Sequence, residues 1–129
     1  MPATTVLAML RRVVACLMAV HGAYRAALPE RVRGFGSWLT SLHLPAGELL
    51  AAAITGAELA GAVALWFGWR RRVVSLLFVA ELLIGIVLIH ATEGWFVVGG
   101  GRNGMEYSVL LIAVLLAVAA EAPPRHDTA

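Results

Sequence analysis

Seven ionisable side chains lie inside long apolar runs or at their edges. His21 and Arg25 are in the first run, Glu48 and Glu58 in the second, Glu81 and His90 in the third, and Glu106 opens the fourth. A charged group in a membrane-spanning segment costs about 2.5–3.5 kcal/mol on insertion scales, so such groups tend to be paired and to mark function. The chemistry open to these types is limited. An imidazole or a guanidinium donates hydrogen bonds to a carbonyl, and a carboxylate or imidazole takes up and releases protons. Two histidines could also ligate a b-type haem.

Helical phase sorts the seven. His21 and Arg25 are four residues apart and share a face. Glu58 lies ten residues after Glu48, about 80° from its direction, with Thr55 roughly between them, so these three share one polar flank. Glu81 and His90 are nine apart, which separates them by about 180° on a regular α-helix. His21, Arg25, Glu58, His90 and Glu106 therefore form the candidate site, converging in the outward half of a bundle, with Arg25 or a histidine as the ionisable partner of Glu58. Glu81 points elsewhere, and the expectation is that another subunit covers it.

The elements that must position these residues are membrane helices. The chain has 129 residues, 60% of them hydrophobic and 14% charged, with a mean hydropathy of +0.84. Soluble domains carry about 25% charge. Four runs approach the ~20 residues that ~30 Å of hydrocarbon requires. They extend from about Val6 to Leu28, Ala46 to Phe67, the end of Arg70-Arg71-Arg72 to Thr92, and Met105 to Ala122. No period-2 alternation points to a barrel. The fold class expected is all-α: an integral membrane four-helix bundle in a single domain over residues 1–122, with a disordered tail over 123–129. The first run is read as retained, because no small-residue cleavage site follows a short apolar core. A short interfacial helix is expected around Phe35-Gly36-Ser37-Trp38, and Ala52, Gly56, Ala60 and Ala64 form a small-residue ladder suited to close helix packing.

Orientation follows from arginine placement. Arg11, Arg12, Arg70, Arg71, Arg72 and Arg125 fall on one side, and Arg31, Arg33 and Arg102 on the other. The richer side is expected to be cytoplasmic, which puts both termini inside a cell membrane, in all expectation a bacterial inner membrane. Trp66 and Trp69 mark the inner interface; Tyr24, Trp95 and Tyr107 mark the outer one. The pI of 9.3 does not indicate nucleic acid, since most of the arginines sit where apolar runs end and they form no stripe interleaved with aromatics. The single cysteine, Cys16, excludes a disulfide framework and thiol–disulfide exchange within the chain. No spacing suggests a metal site, and the glycine run Gly99-Gly100-Gly101 lacks the strand and Lys-Ser/Thr of a phosphate loop.

The order of these residues resembles the DoxX family of small four-helix membrane proteins. The elements that carry the resemblance are His21-Gly22 followed by Arg25, Glu58-Leu59-Ala60-Gly61, the exit Leu65-Trp66-Phe67-Gly68 with its basic turn, His90, the loop from Gly94 to Gly104, and Glu106-Tyr107. Together they extend over roughly Leu10 to Ala120. Arg25 stands where the family usually has Lys, and Glu81 where it has an apolar residue. The resemblance implies a redox-associated membrane subunit, since some relatives are linked to thiosulfate:quinone oxidoreduction and others to assemblies with soluble oxidative-stress enzymes.

Several functional readings follow, and none settles whether the chain is an enzyme. The leading one is a redox-linked subunit with an outward-facing polar pocket for a quinone-like ligand. His21, Arg25 and His90 would supply donors, and Glu58 and Glu106 protons. The alternative is a non-catalytic accessory subunit, in which the same cluster holds helices together while helix faces or outer loops dock a protein partner or a second copy. Transport of a small solute or lipid ranks third, and b-haem ligation by His21 and His90 last.

Overall fold

A computed structural model of the chain describes residues 2–121, so the tail expected over 123–129 lies outside the described residues. The described chain is all-α. In order it has α1 (Ala3–Ala26), α2 (Pro29–Ser41), α3 (Gly47–Phe67), α4 (Arg71–Gly85), a π-helical turn (Ile86–His90), α5 (Ala91–Glu93) and α6 (Glu106–Ala120). Three continuous helical stretches are long and apolar enough to cross a membrane: Ala3–Ala26, Gly47–Phe67 and Arg71–Glu93. The fourth is shorter than expected. The 15 residues of α6 span roughly 22 Å. At the N-terminal side the preceding residues are used by a loop. At the other end Glu121 leaves the helix at φ −58, ψ 125.

The chain divides into two compact units. Residues Arg12–Trp69 form one, built from most of α1, α2 and α3. Its core runs along one stripe of α3, through Gly47, Ala51, Thr55, Glu58, Ala62 and Leu65. These recur every three or four residues, the spacing that keeps one helical face against its neighbours. From α1 come Val14, Ala15, Met18 and Gly22. The ladder expected to pack is not this stripe. Ala52, Gly56 and Ala60 are exposed and Ala64 half-buried, and a Cβ added at Gly56 would meet nothing within 4 Å. Small residues occur all round α3, and the ladder is one residue, about 100°, out of register with the buried face.

The short helix expected around Phe35-Gly36-Ser37-Trp38 is present between α1 and α3 and extends over 13 residues. Pro29 takes a first-turn position after an extended Leu28, and Glu30 sits in the first turn, where the helix dipole favours an acid. Helix α2 lies close against the start of α3. A Cβ at Gly36 would come within 2.6 Å of Glu48 Cα, and one at Gly47 would collide with the Gly36 carbonyl and the Thr40 hydroxyl. Helix α3 ends on Gly68 at φ 77. Gly68 N–H donates to Leu65 O (3.1 Å) and Trp69 N–H to Ala64 O (2.9 Å), the paired bonds of a glycine-terminated helix.

The second unit comprises the residues up to Arg11 with those from Arg70 on. Here α4 packs on α6, burying Ser75, Phe78 and Val79 against Ser108, Leu111, Leu115 and Val118. The π-helical turn over Ile86–His90 falls between Glu81 and His90. Each i→i+5 turn takes in an extra residue, so their separation falls short of the half-turn expected for a regular helix. Glu81 is half-buried and already has an interaction partner within the chain. The reason for expecting a second subunit to cover it therefore falls away.

Candidate functional site

The deepest polar group in the first unit is Glu58, only 1% exposed. Position 58 falls on the buried stripe of α3, and Gly22 of α1 opposes it: a Cβ at Gly22 would lie 3.1 Å from Leu59 and 3.6 Å from Glu58 Oε2. The missing side chain lets α1 approach α3 closely enough for Arg25, one turn further along, to reach the carboxylate. Arg25 Nη1–H donates to Glu58 Oε2 at 2.9 Å and to Thr55 Oγ1 at 3.3 Å. The Thr55 hydroxyl in turn donates to Ala51 O at 2.8 Å. The Arg25 guanidinium also lies 4.5 Å from the Phe35 ring centroid. This cation–π contact, of order 1–2 kcal/mol where water is excluded, draws α2 into the same cluster. Arg25, 15% exposed, thus ties together all three helices of the unit.

The other oxygen of Glu58 is different. Oε1 is buried and has no hydrogen-bond partner. Buried carboxylate oxygens are almost always satisfied, and one that is not needs an explanation. The nearest ionisable group is His21, whose Nε2 lies 4.0 Å away, too far for a hydrogen bond; its side chain is 68% exposed. The arrangement joins a surface imidazole to a buried acceptor across about one ångström too much space. A small movement of His21, or one inserted donor, would close it.

Of the five residues expected to converge, His21, Arg25 and Glu58 meet here. Glu48, expected on the same flank as Thr55 and Glu58, is exposed. His90 and Glu106 belong to the second unit, and both bond to backbone there. His90 Nδ1 lies 2.8 Å from Asn103 O. A carbonyl only accepts, so Nδ1–H is the donor. Val97 N–H donates to Glu106 Oε1 at 2.9 Å, while Glu106 N–H, Met105 N–H and Gly104 N–H donate to Trp95 O, Gly94 O and Phe96 O. These bonds fold the glycine-rich loop back on the start of α6, and the acid at the helix N-terminus suits the dipole. Among the described residues no three His, Cys, Asp or Glu side chains group as a metal would need.

Residues 6–91 match the family model for DoxX. The chain belongs to the DoxX family. His21, Arg25, Glu58 and His90 fall within the matched residues of this DoxX chain, whereas the loop beyond Glu93 and Glu106 fall after them. No curated protein and no solved structure matches the chain.

Sequence reasoning missed Phe35, because the segment before α3 carries no apolar periodicity that would aim an aromatic at Arg25. The signal for Gly22 was present in the dipeptide His21-Gly22, where a glycine stands beside an ionisable residue inside an apolar run.

Proposed function

We propose that this DoxX membrane protein is a redox-associated subunit that receives a quinol-class ligand at the His21–Glu58–Arg25 cluster. The observation that carries the reading is the unsatisfied Glu58 Oε1 beside an exposed imidazole. A purely structural ion pair would gain by bonding both carboxylate oxygens, because an unpaired buried acceptor costs about 1–3 kcal/mol. A quinol hydroxyl supplies the missing donor, and a neutral His21 or the carboxylate accepts its proton. The Arg25 guanidinium serves as the fixed charge that keeps Glu58 in place. The ligand would reach His21 from the lipid side, past the exposed Val20 and Tyr24, rather than through an internal slot, since Gly22 and Leu59 close the space between α1 and α3.

Titration of the purified protein in lipid nanodiscs with a short-chain quinol should give saturable binding. His21→Ala and Glu58→Gln should each weaken it by about tenfold, the effect of one lost hydrogen bond to a charged group. Equal binding by the parent and both variants would leave the accessory-subunit reading, in which Arg25 simply joins α1, α2 and α3.

The cytoplasmic placement of both termini belongs to the same reading and rests on the arginine excess at Arg11, Arg12 and Arg70-Arg71-Arg72. In a background with Cys16→Ala, a cysteine introduced at Arg71 should react with impermeant maleimide only after the membrane is opened. Reaction in intact cells would reverse the orientation.

A further inference from the structure

An apolar groove runs along the surface of the first unit, beside the His21–Glu58–Arg25 cluster but sharing none of its residues. Its walls are Ala15, Cys16 and Ala19 of α1 and Ala62 and Val63 of α3, and its volume is ≈ 210 Å³. At its end stands Trp66, and the Arg12 guanidinium lies 5.8 Å from the Trp66 ring centroid. Arg12 is exposed, and among the described residues no acidic side chain pairs with it. Positions 12, 15, 16 and 19 share one face of α1, as 62, 63 and 66 do on α3. The cation therefore sits at the mouth of the groove and the apolar floor leads away from it.

We infer that this groove is a binding site for one anionic phospholipid, with the phosphate on Arg12 and an acyl chain along Ala15–Ala19 and Ala62–Val63. Tryptophan and arginine are the residues that meet headgroups at the membrane interface, and Arg12 with Trp66 provides both at one point. From Arg12 to Ala19 the helix advances about 10 Å, which carries a chain from headgroup depth into the hydrocarbon. The volume holds roughly seven groups the size of a water or a methylene, far less than a second helix some 10 Å across would need. Small side chains create the space: alanine at 15, 19 and 62 leaves a furrow between two helices that larger residues would fill. Nothing in this inference depends on quinol binding, since none of the groove residues belongs to that cluster.

The test is lipid retention by the full-length protein in detergent, read by native mass spectrometry after equilibration with equal amounts of phosphatidylglycerol and phosphatidylcholine. The parent should retain phosphatidylglycerol in about fivefold preference, the worth of one arginine near an anionic headgroup. Arg12→Gln should abolish that preference, while Arg72→Gln, an equal loss of charge at another exposed arginine, should leave it unchanged. Cys16→Leu keeps every charge but fills the groove, and should lower retention of phosphatidylglycerol to the level of Arg12→Gln. Equal retention of the two lipids by the parent would overturn the site. So would equal losses in Arg12→Gln and Arg72→Gln, which would mean diffuse attraction, full retention in Cys16→Leu, or displacement of the lipid by inorganic phosphate alone.

Discussion

Replacing Arg25 with leucine is expected to destabilise the protein by about 3 kcal/mol or more, the largest effect of any single side-chain removal in the cluster. The cost arises from what remains. Glu58, buried on the stripe of α3, would keep neither its 2.9 Å bond from Arg25 nor any bond at Oε1. A buried carboxylate left without its partner is the costly part, and broken buried pairs lose about 3–5 kcal/mol. Arg25→Lys should retain the ion pair and most of the stability, losing only the bond to Thr55 and part of the contact with Phe35. The double variant Arg25→Leu/Glu58→Leu should recover most of the single variant's loss, because it removes the stranded charge as well. Thermal unfolding in native-like lipid checks the cycle. Additive losses in the double variant would show that the two side chains do not act as a pair.

Gly36→Ala is expected to cost about 1–3 kcal/mol, although it adds a single methyl group and improves helix propensity. The methyl would lie 2.6 Å from Glu48 Cα and 2.9 Å from Glu48 N. Both are backbone atoms at the start of α3 and cannot rotate out of the way, so α2 as a whole must shift. Movement of α2 would also carry Phe35 off the guanidinium of Arg25, so the same variant should loosen the cluster. Gly34 provides the control on the same helix, for a Cβ there meets nothing within 4 Å. Gly34→Ala should be neutral or stabilising by up to ~1 kcal/mol, through the lower flexibility of the unfolded chain. Equal melting temperatures for Gly34→Ala and Gly36→Ala would show that α2 and α3 do not meet as closely as described.

These two cases also show what could and could not be read from the residues alone. That Glu58 would pair with Arg25 or a histidine followed from depth: a short acid far from either membrane face has no route to water, and His21 and Arg25 share one helical face at the right level. The all-α class and the apolar helices followed from run length and composition. Register did not. The ladder Ala52–Gly56–Ala60–Ala64 and the buried stripe through Ala51, Thr55, Glu58 and Ala62 are both rich in small residues, and only tertiary packing distinguishes them. The π-helical turn that ends on His90 was equally hidden, because Ile86-Val87-Leu88-Ile89 suits either helix type and Gly85 before it does not specify an extra residue per turn. The extent of α2 was obscured by Gly34 and Gly36, both poor helix formers, of which Gly36 lets the helix lie close to its neighbour. Glu106 was read as a proton carrier from its type and position. Its bond to Val97 N–H depends on how the loop folds back, which glycines permit but do not announce.

The most direct test of the central claim is a vibrational difference spectrum of the protein in lipid, recorded before and after a short-chain quinol is added. A donor arriving at Glu58 Oε1 must perturb the carboxyl stretching bands. A difference signal in the carboxyl region is therefore predicted for the parent, to be absent in Glu58→Gln and retained in Glu48→Gln, whose carboxylate is exposed and outside the cluster. A carboxyl signal that persists in Glu58→Gln, or a quinol that binds without any carboxyl signal, would contradict the account.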